Sequence, residues 1–183
     1  MPRNLARRSS PSSVSVTWAT AATDLGQVLV AATMEGVGFL ALGDATADLL
    51  RELHREYSDH RFAIAGIPDL SALALGLAAA QAVISGRTPQ KLPSLAPRGT
   101  EFQLRVWECL RTIPEGQTWT YGQLAAALGQ PSAVRAVARA CATNPISLLV
   151  PCHRVIRNGG ALAGYRWGLE RKAALIAREK SRR

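Results

Sequence analysis

Cysteine is scarce in this chain: three residues among 183, widely spaced and never arranged as Cys-x-x-Cys. That spacing makes neither a disulfide framework nor a paired-cysteine metal module, and it fits a reducing, intracellular setting. Long apolar runs are missing too. A membrane-spanning helix needs about 20 consecutive apolar residues. The nearest approach, Leu70 to Ile84, is Ala-rich and broken by Gly76, and it reads as a buried helix. The first residues lack the hydrophobic region of a secretory signal, because their arginines run into serines and prolines. Residues 1–13 are expected to form a disordered basic tail.

Acidic charge is the most informative shortage. Residues 1–97 hold eight Lys/Arg and eight Asp/Glu, whereas residues 98–183 hold fourteen and five, so the whole formal excess of +9 lies in the second half. Solubility alone does not explain such segregation. A polyanionic partner, above all nucleic acid, does.

What is present divides in two. The first half reads as a small α/β unit, with "VSVTWAT" alternating as a strand and "GQVLVAAT" and "VGFLAL" flanking the turn "MEG" as a hairpin. Asp44 is placed to cap a helix whose Leu49, Leu50, Leu53 and Tyr57 share one face. "RFAIAGI" predicts a further strand and Asp69 a cap for the Ala/Leu-rich helix. From Ser85 to Gly99, three prolines among glycine and serine predict an extended linker and a domain boundary, giving units over 14–90 and 91–183.

The second half opens on Thr100 and Gln103, the spacing of a capping box, before Phe102, Val106, Cys109, Leu110 and Ile113 recur at helical intervals. "TYGQLAAALG", the turn "QPSA" and "VRAVARACAT" then make a helix-turn-helix candidate, although helical hairpins are common. Its second helix carries Arg135 and Arg139 among small residues, including Ala133, Ala136 and Ala138. A helix that reads major-groove edges needs more hydrogen-bonding side chains. This one suits close approach to a backbone.

Cys109 and Cys141 fall on apolar helix faces and read as core residues. Cys152 stands apart, after Asn144-Pro145 and the run Ile146 to Val150, with His153 beside it and Arg154 next. Basic surroundings and an imidazole lower a thiol pKa, and only the thiolate is a good nucleophile. Spacing alone leaves a buried structural cysteine and a nucleophile both open.

The segments "RAVARACATNP", "PCHRV" and "GYRWGLERKAALI" decide between them. Together they resemble the O6-alkylguanine-DNA alkyltransferases, in particular the alkyltransferase half of the bacterial adaptive-response members. The likeness is strong from Arg98 to about Lys180 and looser over residues 14–90. It implies an RNase-H-like α/β N-terminal domain followed by a winged-helix-like C-terminal domain containing the helix-turn-helix. It also implies direct repair, in which a cysteine takes the alkyl group from O6 of guanine in double-stranded DNA and keeps it, one group per molecule.

By the same resemblance Cys152 is the alkyl acceptor, His153 the base that activates it through a water, and Glu179, 27 positions after the cysteine, the carboxylate that orients the histidine. Tyr121 lies near the flipped nucleotide, Tyr165 and Val155 belong to the guanine pocket, and Asn144 ties the recognition helix to the cysteine turn. Arg135 fills the gap left by the flipped base, while Ala133, Ala136, Ala138, Arg139 and Arg154 complete a minor-groove DNA surface. Taken on helix periodicity alone, Glu179 reads equally well as a solvated surface charge. "IRNGGAL" reads as a hairpin turn forming a wing beside the pocket. The zinc cysteines and regulatory module of the longer adaptive-response members are absent, so no cofactor, no metal and no transcriptional role are expected. The expected state is a monomer in the cytoplasm, on DNA and not on membranes. Two rivals remain: a DNA-binding regulator with an inert thiol, and a thiol hydrolase. The first leaves His153 and Glu179 without a task, and the second leaves the basic half unexplained.

Overall fold

The computed structural model describes residues 15–58, 70–162 and 164–181. The basic tail, the "RFAIAGI" strand and the Asp69 cap lie outside the described residues. None of the helices among those residues is long and apolar enough to cross a membrane.

Three strands, β1 (Thr17–Thr23), β2 (Gly26–Thr33) and β3 (Gly36–Gly43), form an antiparallel meander in chain order. The hairpin falls where the turn residues put it, with Thr33 opposite Gly36. β2 and β3 are buried on both faces, which is why their apolar residues run nearly unbroken instead of alternating. Helix α1 (Thr46–Glu56) turns Leu49, Leu53 and Tyr57 into the core, as its periodicity requires, with Leu50 packed at the edge. Its N-cap is Ala45, with no side-chain bond, and not Asp44. The Asp44 carboxylate is bonded instead by Arg171 from the far end of the chain, and a full cation outcompetes backbone amides for it.

Helix α2 (Leu70–Ile84) packs across the sheet with Ala72, Leu73, Ala79, Ala80 and Ile84 buried. Gly76 is a contact point here and not a break. A Cβ there would stand 2.8 Å from Val30 Cγ1, so the missing side chain lets helix and sheet touch.

The proline-rich stretch after α2 is extended, as predicted, yet it is tied down. Val37 N–H donates to Ser94 O at 2.8 Å, and Ala96 N–H to Val37 O at 2.8 Å. Further along β3, Leu40 N–H donates to Pro145 O at 2.8 Å and Ser147 N–H to Leu40 O at 2.9 Å. Two segments of the second half therefore complete the free edge of the first half's sheet, an edge that would otherwise be open.

Helix α3 (Glu101–Arg111) starts at the predicted capping box. A second box, Thr120 with Gln123, starts α4 (Tyr121–Ala127), and Gly129, at φ 71°, takes the left-handed conformation that ends it. α5 (Val134–Ala142) follows across the tight turn, with Val137, Ala140 and Cys141 inward. Trp107 of α3 anchors the pair, its indole N–H donating to Ala140 O at 2.8 Å. Short strands β4 (Trp119–Thr120) and β5 (Val155–Ile156) pair in parallel. The Asn158–Gly160 turn is closed by Arg157 N–H donating to Ala161 O at 3.0 Å. α6 (Leu169–Lys180) lies back against α2 and the first sheet's loops.

Charge holds the halves together. Arg166 pairs with Glu52, Arg171 with Asp44, and Arg178 with Asp24 at 2.7 Å. Part of the basic excess of the second half thus answers acids of the first, a use of the asymmetry that composition does not reveal.

Candidate active site

Cys152 opens a 3-10 turn, Cys152–Arg154, at the end of the buried run from Ile146 to Val150. That run enters along β3 and then bends sharply, with Leu148 held at φ 69°. A branched side chain in this region costs about 1–2 kcal/mol. The strain is held in place by bonds on either side, from Ser147 N–H to Leu40 O at 2.9 Å and from Val150 N–H to Ile146 O at 3.0 Å.

Asn144, buried at the end of α5, binds the bend from within. Its Oδ1 accepts from Ile146 N–H at 3.0 Å, and its Nδ2 donates to Val150 O at 2.8 Å and to Cys152 Sγ at 3.2 Å. One side chain therefore links the end of α5, the bend and the sulfur.

The thiol is only 7 % exposed. Burial pushes its pKa up, while the Asn144 amide, the Lys172 ammonium and Ser147 pull it back. His153 is fully buried. Its Nε2 lies 2.8 Å from Glu179 Oε1, and its Nδ1 has no hydrogen-bond partner among the described residues. Burial lowers the His153 pKa against the opposing pull of Glu179. Burial would raise the Glu179 carboxyl, but hydrogen bonds from His153 and Arg154 outweigh it and hold the group at about 2.

Tyr121 and Tyr165 lie close enough to Cys152 for a charge on one to act on the other. Burial raises both phenols, Tyr121 to about 12 and Tyr165 further, so both remain donors. The Tyr165 hydroxyl, beside Ser147, has no hydrogen-bond partner among the described residues.

One sequence assignment needs correction. Arg154, which the resemblance assigns to the DNA surface, is engaged within the protein. Its Nε and Nη2 bond Glu179 and its Nη1 bonds Ile113 O at 2.7 Å, which spends the guanidinium inside the protein. Val155 is fully buried in β5. Of the other two cysteines, Cys141 is buried as expected, but Cys109 is only partly so, at the rim of the core.

The residues of α5 and its preceding turn that the resemblance assigns to DNA lie together. Arg135, Arg139 and Ala136 are exposed, with Ala133 and Ala138 half-buried beside them. Neither arginine has an ion-pair partner among the described residues.

Lys172 was missed. It is fully buried, and its ammonium donates to Val155 O at 2.5 Å, close enough to Cys152 and Cys141 for each charge to act on the others. The signal was available: the helical spacing that turns Glu179 inward turns Lys172, seven residues earlier, to the same side. Ser147 was also missed. It accepts a hydrogen bond from the Trp167 indole, and no local pattern announces a serine as a site residue.

Residues 101–181 match the family model described as 6-O-methylguanine DNA methyltransferase, DNA binding domain. A methylated-DNA–protein-cysteine methyltransferase of Mycobacterium bovis is 44% identical over 133 residues, covering 73% of this chain and 79% of that protein. This chain belongs to the 6-O-methylguanine DNA methyltransferase family. The bifunctional transcriptional activator/DNA repair enzyme Ada of Escherichia coli is 45% identical over 166 residues, which are 91% of this chain and 46% of that protein. The chain thus spans about half the length of that relative. The crystal structure of Mycobacterium tuberculosis OGT in complex with DNA shares the mixed α/β fold with a TM-score of 0.73 and 34% identity, covering 92% of this chain and 94% of that one.

Proposed function

We propose that this protein repairs O6-alkylguanine in double-stranded DNA by moving the alkyl group irreversibly to Cys152. One observation carries the reading: a nearly buried thiol, next to a buried His153–Glu179 pair, tied by Asn144 to a helix-turn-helix with unpaired arginines. A thiol this enclosed cannot meet a base inside the duplex stack, so the base must come out to it, at a cost of a few kcal/mol. Small residues on α5 permit close approach to the minor groove, and Arg135 fills the gap the base leaves. Weak base readout suits damage that arises in any sequence.

The chemistry balances without an added group. His153 Nδ1 takes the thiol proton, through a water. The thiolate attacks the alkyl carbon, a carbon–sulfur bond forms, and the carbon–oxygen bond breaks with its electron pair going to O6. Tyr121 and Tyr165 donate to the developing charge, the guanine anion takes one proton from solvent, and the His153 imidazolium releases to solvent the one it took. The product thioether has no path back to the thiol, so each molecule acts once. Lys172 favours the thiolate by its charge.

On this reading the meander with α1 and α2 is the RNase-H-like domain, residues 14–90. Residues 91–183 form the winged-helix-like domain, with Asn158–Gly160 as the tip of the wing. The direct test is an intact-mass spectrum after incubation with duplex containing O6-methylguanine. The expected result is a gain of one methyl group per chain; no gain, or continued turnover with excess substrate, refutes the reading.

Arg135→Ala should slow repair of duplex far more than reaction with free O6-alkylguanine, because the free base needs no extrusion. The effect on duplex is expected at about tenfold or more, the equivalent of a modest share of the unstacking cost. Equal losses on the two substrates would remove Arg135 from that role. Binding of undamaged duplex should also weaken steeply with salt, as phosphate contacts release counterions.

A further inference from the structure

The Glu179 carboxylate is saturated. Oε1 accepts from His153 Nε2 at 2.8 Å, Arg154 Nη2 at 2.9 Å and Arg154 Nε at 3.2 Å, while Oε2 accepts from Arg154 Nε at 2.9 Å and Gly116 N–H at 3.0 Å. The Arg154 side chain is 14% exposed and that of Glu179 4%. The guanidinium is fixed at its other end by Ile113 O. It is therefore a planar fork clamped between the end of α3 and the inner face of α6.

Glu179 and Lys172 face the imidazole from α6, Arg154 from its own turn, and Cys152 precedes it. Gly116 N–H and Ile113 O bond the Glu179–Arg154 pair from the segment after α3, and Glu108, Arg111 and Glu115 line the same cavity as Arg154 on its outer side. With Arg154 in place, the carboxylate's negative charge is already answered. A buried, ionised Glu179 without Arg154 would be answered instead by protonating His153, and an imidazolium cannot take a proton from a thiol.

We infer that Arg154 is a positioning residue for the transfer: by pairing with Glu179 it keeps His153 neutral, as the Nε2–H tautomer, with Nδ1 free to accept. An ionised carboxylate has only acceptors, so the hydrogen between the two groups belongs to Nε2, and a neutral ring then leaves Nδ1 bare. This goes beyond the proposed repair reaction and rests on it only for the use made of Nδ1.

The test is a titration of nitrogen-15-labelled histidine in the full, unreacted protein, followed by NMR. In the wild type the His153 ring should stay neutral, with Nε2 protonated, through the range where ordinary histidines titrate. In Arg154→Gln the loss of a neighbouring cation removes a force that lowers the imidazole pKa, so its midpoint should rise by about one pH unit or more. Arg154→Lys, which keeps the charge but not the fork, should rise by less. The acid limb of alkyl transfer from free O6-alkylguanine should move up with the midpoint. The salt dependence of DNA binding should not change.

A folded Arg154→Gln protein whose His153 titrates as in the wild type would overturn the inference, as would a lowered salt slope, which would make Arg154 a phosphate contact. If the Gln variant does not fold, Arg154→Lys decides, since a shifted midpoint supports the role and an unshifted one refutes it. The titration uses no substrate, so a wild-type protein that transferred no alkyl group would sink the repair reading while leaving this result legible.

Discussion

Cys152→Ser should lose alkyl transfer by about 10⁴-fold or more while binding duplex DNA as the wild type does. The hydroxyl is close to the thiol in size and still accepts from Asn144 Nδ2, so the bend and the site survive the change. What is lost is the nucleophile, because a serine hydroxyl near neutrality supplies almost no alkoxide, whereas a thiol beside an ammonium and a buried imidazole supplies thiolate. On the proposed reading DNA affinity comes from Arg135, Arg139 and the backbone of the helix-turn-helix, and neither arginine bonds the sulfur. The other thiols are poor substitutes. Burial raises all three thiols, but only Cys152 has an imidazole next to it to take the proton and an Asn144 amide bonded to its sulfur. Peptide mapping of the reacted wild type should therefore find one modified residue. An alkyl group on Cys109 or Cys141, or a Cys152→Ser protein that still repairs, would end the proposal.

His153→Ala and Glu179→Gln should each slow transfer by about 10²-fold or more, with the double variant little slower than the worse of the two. The reason is that the pair acts as one unit. Glu179 touches no reacting atom and works through the ring, so once the ring is gone the carboxylate has nothing left to orient. Glu179→Gln offers Nε2–H only a neutral carbonyl oxygen in place of a carboxylate, and it leaves the Arg154 charge unanswered in a largely buried place. Loss of one partner of a buried pair costs about 3–5 kcal/mol of stability. Rates must therefore be taken per folded molecule, with thermal melts alongside. Losses that multiply in the double variant would mean that the two residues act independently, and the single-unit picture would fall.

The elements that the sequence made legible are those decided within a few residues. The Thr100–Gln103 box starts α3 because cap and partner are three positions apart and need no other contact. Gly129 ends α4 because only a residue at ease at positive φ fits there. Cys152 and His153 are adjacent by covalent bonding, and Glu179 reaches the ring because helix periodicity turns it inward, though the choice between that and a solvated face needed the family pattern.

What the tertiary structure decided lies at long range. Nothing local to Asp44 says that Arg171 will bond it, 127 positions away. Nothing in the proline-rich stretch or in Pro145 and Ser147 says that both will pair with β3, since a backbone amide carries no mark of its partner. Arg154 is the sharpest case. In the sequence it is one more cation in a basic half, and the resemblance assigns it to the DNA surface. In the fold α6 brings Glu179 against it, and a guanidinium beside a buried carboxylate pairs with that charge before any other.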